Sequence, residues 1–144
     1  MFVDSAGGLL MRRGDVDIVI VGADRVAANG DVCNKIGTYG KALAARDTGV
    51  PFYVALPSPT LDASLASGSA IPIEMRSPDE VIAITGRDSY GQTATVAIAP
   101  EGTRAVNYAF DMTPARLVSG LITERGIAAA DRAALGALFP ERYA

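Results

Sequence analysis

The sequence predicts an α/β protein, a partial Rossmann-like parallel sheet flanked by helices. Three observations predict it. The run Val16–Val21 is apolar without alternation, the pattern of a strand buried on both faces. Residues 32–47 carry apolar residues at helical spacing: Ile36, Tyr39 or Gly40, and Leu43. A second apolar run, Val50–Leu56, follows directly. Strand, helix and strand make a β-α-β unit, whose right-handed crossover joins parallel strands.

The elements follow in order. Residues 4–13 suit a short helix, closed by Arg12-Arg13-Gly14. After the first strand, Ala23–Asp31 reads as a loop with Asn29-Gly30 as its turn signal. Gly49 stops the helix over 32–47. Pro51 opens the next strand, at an end position that proline tolerates. Residues 57–78 are rich in Pro and Ser and read as an irregular loop. Within and after it, Glu74, Arg76, Asp79 and Glu80 read as a solvated or ion-paired cluster and a helix start. Residues 86–95 read as a surface loop. Thr113-Pro114 has the form of a helix start, with Leu117, Val118, Leu121 and Ile122 as one apolar face and Gly126 as the end. Asp131 caps a last short helix that reaches about Phe139. No internal repeat or linker interrupts the chain, so one domain over residues 1–144 is expected.

Composition narrows the function classes. With 49% hydrophobic and 20% charged residues the chain is of the globular, not the disordered, class. A net charge of -3 argues against nucleic acid as the main partner. No apolar run approaches the roughly 18–20 residues that span a bilayer, so no membrane partner is expected. The first residues lack the charged-then-apolar layout of a signal peptide, and the single cysteine excludes an internal disulfide; both fit a cytoplasmic address. The absence of histidine removes the commonest general base and a common zinc ligand. Proton transfer is left to Asp, Glu, Cys, Lys or Tyr.

The candidate site follows the first strand. Asp24 falls just past the carboxyl end of that strand, where open α/β sheets bind ligands. It reads either as a proton donor and acceptor or as a loop carboxylate bonded to backbone N–H groups or paired with Arg25. Asn34 and Lys35 fall near the start of the next helix. A lysine there opposes the helix dipole, a conflict that a bound phosphate removes; the alternative is an exposed surface lysine. An acid/base group about ten residues before a cationic clamp points to a sugar-phosphate site. Cys33 reads as a small buried hydrophobe rather than a nucleophile. Asp31 reads as a turn or N-cap residue, and Asp111 as support for the following helix start with a site contact left open. Gly22, Gly30 and Gly37 lack the spacing of a dinucleotide fingerprint.

The stretch Gly22-Ala-Asp-Arg-Val-Ala-Ala-Asn-Gly-Asp-Val-Cys-Asn-Lys-Ile-Gly-Thr-Tyr39 closely resembles the signature of methylthioribose-1-phosphate isomerases. So do Val50-Pro-Phe-Tyr-Val-Ala, Ile71-Pro-Ile-Glu-Met-Arg-Ser-Pro, Ala109-Phe-Asp-Met-Thr-Pro and Leu121-Ile-Thr-Glu-Arg-Gly, in family order, from roughly residue 3 to 127. The superfamily also holds ribose-1,5-bisphosphate isomerases and regulatory subunits of a eukaryotic translation-initiation exchange factor. The resemblance implies conversion of methylthioribose 1-phosphate to methylthioribulose 1-phosphate in methionine salvage. It implies Asp24 as the acid/base and Asn34 and Lys35 as phosphate ligands, with no metal or organic cofactor. The alternatives are a non-catalytic module that binds a sugar phosphate or nucleotide, and ribose-1,5-bisphosphate isomerisation.

The departures from the family pattern are specific. Members are well over twice this length, and their Arg-Gly-Ala and His-Cys-Asn segments do not occur here. Cys33 sits where the signature has Ala, and Tyr108 where Pro usually precedes Ala-Phe-Asp. The chain thus looks like the C-terminal half of an isomerase. A sheet cut before its Asp-bearing strand exposes an edge and an apolar face, so a homodimer or higher self-association is expected.

Overall fold

The structure, a computed structural model, describes residues 1–143. In chain order the elements are α1 (Ala6–Arg12), β1 (Val19–Val21), β2 (Arg25–Ala27), β3 (Val32–Lys35), α2 (Thr38–Thr48), β4 (Phe52–Ala55), β5 (Leu61–Asp62), α3 (Asp79–Ile82), β6 (Ala83–Arg87), β7 (Thr93–Ala97), β8 (Phe110–Thr113), β9 (Gly120–Thr123), β10 (Gly126–Ala128), α4 (Arg132–Leu138) and α5 (Pro140–Tyr143). They form two compact units: Met1–Pro72 with the chain from Phe110 onward, and Ile73–Ala109.

The first unit is α/β, with sheets that contain parallel pairs and are flanked by helices. One sheet has the order β1-β4-β9-β10. β1, β4 and β9 are parallel, with Ile20 opposite Tyr53 and Tyr53 opposite Gly120; β10 returns antiparallel on β9. The β1–α2–β4 segment is the crossover unit read from the sequence. The second sheet has the order β5-β2-β3-β8. Phe52, Val54 and Leu121 on one face of the first sheet are at most 1% exposed, in the same core as Leu135 of α4 and the adjacent Phe139. Each such side chain contributes about 1.5–3 kcal/mol through burial.

Residues 32–35 differ from the expected helix. They form β3, because Val32 and Cys33 pair with β2 on one side and β8 on the other. Two sheet ladders outweigh a helical spacing that begins only at Ile36. The helix starts at Thr38, after Gly37 turns the chain at φ 96°. Its buried positions are Thr38, Ala42 and Ala45, while Ile36, Tyr39 and Leu43 are exposed. Gly49 ends the helix at φ 75°, as read from the sequence.

Three further expectations change. β1 is not covered on both faces: Ile20 is 55% exposed, and none of the described residues buries it. The loop expected over Ala23–Asp31 contains β2, which pairs with β3 as a hairpin closed by Asn29-Gly30. Residues after Pro114 form a 3₁₀ turn, Ala115–Leu117, and then β9, not a helix. Pairing with β4 imposes an extended chain there, and Gly120 lets the Tyr53 ring lie where a side chain would stand. By contrast, α1 lies within 4–13, and Asp131 caps α4 by accepting the Ala134 N–H at 2.8 Å. Among the described residues no helix is long and apolar enough to cross a membrane.

The second unit is built on the β6–β7 hairpin, paired from Ala83 opposite Ala97 to Arg87 opposite Thr93. Only residues 88–92 of the expected surface loop are a loop, where Asp88 accepts the N–H groups of Tyr90 and Gln92 at 2.9 Å each. Arg76 and Glu80 form an ion pair at 2.8 Å, and Asp79 opens α3, as expected of that charged cluster.

Candidate functional site

The segments that end β1 and β3 and begin α2 meet at one side of the first unit. Val21 and Gly22 leave β1, Asn34 and Lys35 finish β3, and Thr38 and Lys41 belong to the first turn of α2. These residues, with Asp4 and Ile36, line an open cavity of about 540 Å³. Asn34 and Lys35 are thus brought together, but at a strand end two residues before the helix rather than within it.

The turn that carries them is held by four hydrogen bonds. Asn34 donates its amide to Thr38 Oγ1 at 3.0 Å, and Thr38 Oγ1 donates to the Lys35 carbonyl at 2.6 Å. The Asp111 carboxylate accepts the N–H of Gly37 at 2.7 Å and of Tyr39 at 3.1 Å. Asp111 therefore caps α2, an element more than 70 residues earlier in the chain, and not the helix start that was expected after it. It satisfies two orphan N–H groups and complements the helix dipole.

Asp24 is not on the lining of this cavity; it follows the lining residue Gly22 by two positions. It is exposed, and its N–H donates to the Cys33 carbonyl at 2.9 Å, continuing the β2–β3 ladder toward Asn34. Asn34 in turn faces Asp111 across β3 and β8. Asp24, one residue before β2, thus adjoins a polar pair across β3 and β8. Arg25 does not pair with Asp24; its guanidinium reaches Asp62 at 3.4 Å. Among the described residues the Asp24 carboxylate accepts no hydrogen bond.

Cys33 is 2% exposed. Burial pushes its thiol pKa up, and the nearby Asp24 charge adds to this while Arg25 opposes it. A buried thiol held protonated is a poor nucleophile, which agrees with the reading of Cys33 as a core residue. Asp31 is a turn residue. Its carboxylate accepts from Asn29 at 2.8 Å, from Gly68 N–H at 3.0 Å and from Ala115 N–H at 2.9 Å. Burial would raise its pKa, but these donors outweigh burial and hold the carboxyl below its ordinary value.

Sequence reasoning missed Lys41 and Thr38. The signal was present once the helix start is moved to Thr38: Lys41 then stands in a first turn that has no acidic residue. A second cavity of about 370 Å³ lies near the C-terminus of α2 and the start of β4, with Arg46 and Arg116 in its wall. It opens near the amino ends of parallel strands, where open α/β sheets do not place ligands.

A sequence profile of the Initiation factor 2 subunit family matches residues 1–130. The chain belongs to this family. Among family relatives, the methylthioribose-1-phosphate isomerase of Rhizobium meliloti (strain 1021) is 66% identical over 143 residues, covering 99% of this chain and 39% of that protein. The crystal structure of 5-methylthioribose 1-phosphate isomerase from Pyrococcus horikoshii OT3 superposes with a TM-score of 0.83 at 43% identity, over 96% of this chain and 36% of that one. Translation initiation factor eIF-2B subunit delta from A. fulgidus gives a TM-score of 0.82 at 36% identity, over 96% of this chain and 38% of that one. The chain spans about two-fifths of the length of the curated relatives it matches.

Proposed function

We propose that this chain carries part of the active site of a methylthioribose-1-phosphate isomerase. The observation that carries the reading is the joint lining of one cavity by Asn34 and Lys35, with an unengaged Asp24 two positions past the lining residue Gly22. Identity of 66% to the Rhizobium meliloti isomerase supports the choice of substrate.

The chemistry suits these residues. In the substrate the anomeric oxygen carries phosphate, so the sugar cannot open to a free aldehyde. Isomerisation must break the bond from C1 to the ring oxygen and the C–H bond at C2. It forms a C–H bond at C1, a hydroxyl from the ring oxygen and a ketone at C2. Lys35 and Asn34 hold the phosphate by charge-assisted and neutral hydrogen bonds. Asp24 gives a proton to the ring oxygen and takes one from the C2 hydroxyl. Any further groups come from the remaining length that the relatives possess.

The test is NMR detection of ketose. The chain is mixed with the complementary remainder of the Rhizobium meliloti relative and given methylthioribose 1-phosphate. Turnover that falls about 10²–10⁴-fold in Asp24→Asn is expected. Substrate binding without turnover in the complemented enzyme overturns the reading. It would favour a non-catalytic regulatory or assembly module that binds a sugar phosphate or nucleotide, a reading supported by the 0.82 TM-score to eIF-2B subunit delta. The lower identity of that relative, 36%, ranks it second. Turnover of ribose 1,5-bisphosphate instead would mark the third reading.

A second copy of this chain is part of the proposal. β1 is an edge strand, and Ile20 and Ile127, 55% and 66% exposed, stand on the same uncovered sheet face as Tyr53. Parallel sheets normally bury both faces. Light scattering during size-exclusion chromatography should give a dimer or larger, reduced to monomer by Ile20→Lys with Ile127→Lys; a wild-type monomer contradicts it. A cytoplasmic address completes the reading.

A further inference from the structure

Lys41 stands on the same cavity as Asn34 and Lys35, and the two lysines are the only cations in its lining among the described residues. Its ammonium meets the Asp4 carboxylate at 2.7 Å. This pair lies directly over the start of α2: a Cβ added to Gly37 would sit 3.3 Å from Asp4 Oδ2 and 3.3 Å from Lys41 Nζ. A carboxylate from the segment before α1 thus occupies the space above the turn that holds Asn34 and Lys35.

Two features say that this carboxylate is a substitute. First, Asp111 already accepts the N–H groups of Gly37 and Tyr39, so a phosphate entering here draws less on the helix backbone and more on side chains. Within this chain Lys35 alone leaves a dianion half compensated. Second, the Asp4 side chain is 76% exposed, while the Lys41 side chain is 33% exposed. A single solvated carboxylate is a weak competitor against a dianion with three acceptor oxygens. A lysine in the first turn, opposed by the helix dipole, has more to gain from the dianion.

We infer that Lys41 is a second cation that this chain brings to the phosphate site and that Asp4 is a resident counter-ion which the substrate phosphate displaces. This rests on the reading that the Asn34–Lys35 cavity binds phosphate. Displacement frees Asp4 and couples phosphate arrival to the segment that precedes α1.

The test titrates the full chain with inorganic phosphate and with methylthioribose 1-phosphate, followed by amide NMR shifts of residues 34–41. Lys41→Gln should weaken binding about tenfold or more, and Lys41→Arg should restore most of it. Asp4→Asn should tighten binding about threefold, an effect absent when Lys41→Gln is also present. If Lys41→Gln binds as the wild type does while Lys35→Gln loses binding, the role of Lys41 is refuted and the phosphate site stands. If Asp4→Asn fails to tighten binding, Asp4 is not a competitor and that half of the inference fails. If the wild type does not bind, or binding ignores Lys35→Gln, the site reading itself fails and takes this inference with it.

Discussion

Asp24 and Asp31 are seven residues apart on the two arms of one hairpin, and their surroundings are opposite. Asp31 is wrapped by three donors from three separate segments, its own turn, Gly68 and Ala115. Asp24 is exposed at the end of the ladder and accepts nothing among the described residues. One carboxylate is consumed in holding loops together; the other is left free at the mouth of the sheet. The difference shows that position relative to a strand end does not suffice to assign a carboxylate a role. What matters is whether its lone pairs are already used.

The largest expected effect falls on Asp24. In the complemented enzyme Asp24→Asn should lower turnover by about 10²–10⁴-fold while the unfolding midpoint of the chain stays within about 1 °C, since no contact is lost. A large fall in stability would erase the contrast with Asp31. Next comes the turn between them. Gly30 has φ 87°, and a Cβ there would run into the Ala130 carbonyl. Gly30→Ala should cost about 3 kcal/mol by urea unfolding, from backbone conformation and overlap together. Asp31→Ala should cost about 2 kcal/mol in the same assay, because two backbone N–H groups lose their acceptor.

The smallest effect is the pH dependence of Asp31. Its folded carboxyl lies below the ordinary value of 3.8, so its ionised form is favoured by folding. The unfolded chain takes up this proton first as pH falls. The contribution to stability is therefore fully present above about pH 5 and declines as pH drops through 3.8 toward the folded value. Asp31→Asn should flatten that part of the acid-unfolding curve. An unchanged curve would mean that the donors around Asp31 do not discriminate its charge.

Much of this was legible from local pattern. β1, β4, the Gly49 stop and the Asp131 cap depend on nearest neighbours in the chain, and the sequence displays those. Asn34 and Lys35 could be singled out because their residue types are unusual at that place. β3 was not legible. Val32–Lys35 is a strand because Thr113 through Phe110 pairs with it, a partner more than 70 residues away. The stretch 117–122 was misread for a related reason. Leu117, Val118, Leu121 and Ile122 repeat at a helical interval, yet Leu121 and Ile122 are extended by pairing with β4 and Leu117 ends the 3₁₀ turn before them. Lys41 was hidden behind the β3 error, since a helix begun at residue 32 puts it mid-helix, where a lysine is unremarkable.

Cys33, the one thiol of the chain, has a practical consequence. It lies in a strand paired on both sides, and its sulfur is shielded and held protonated. A maleimide or disulfide reagent can reach it only when the packing over β3 opens. The labelling rate in the native protein is therefore a clock for the opening of β3. No engineered probe is needed to read it. A ligand that engages Asn34 and Lys35, the next two residues of the same strand, would slow that clock in proportion to its occupancy.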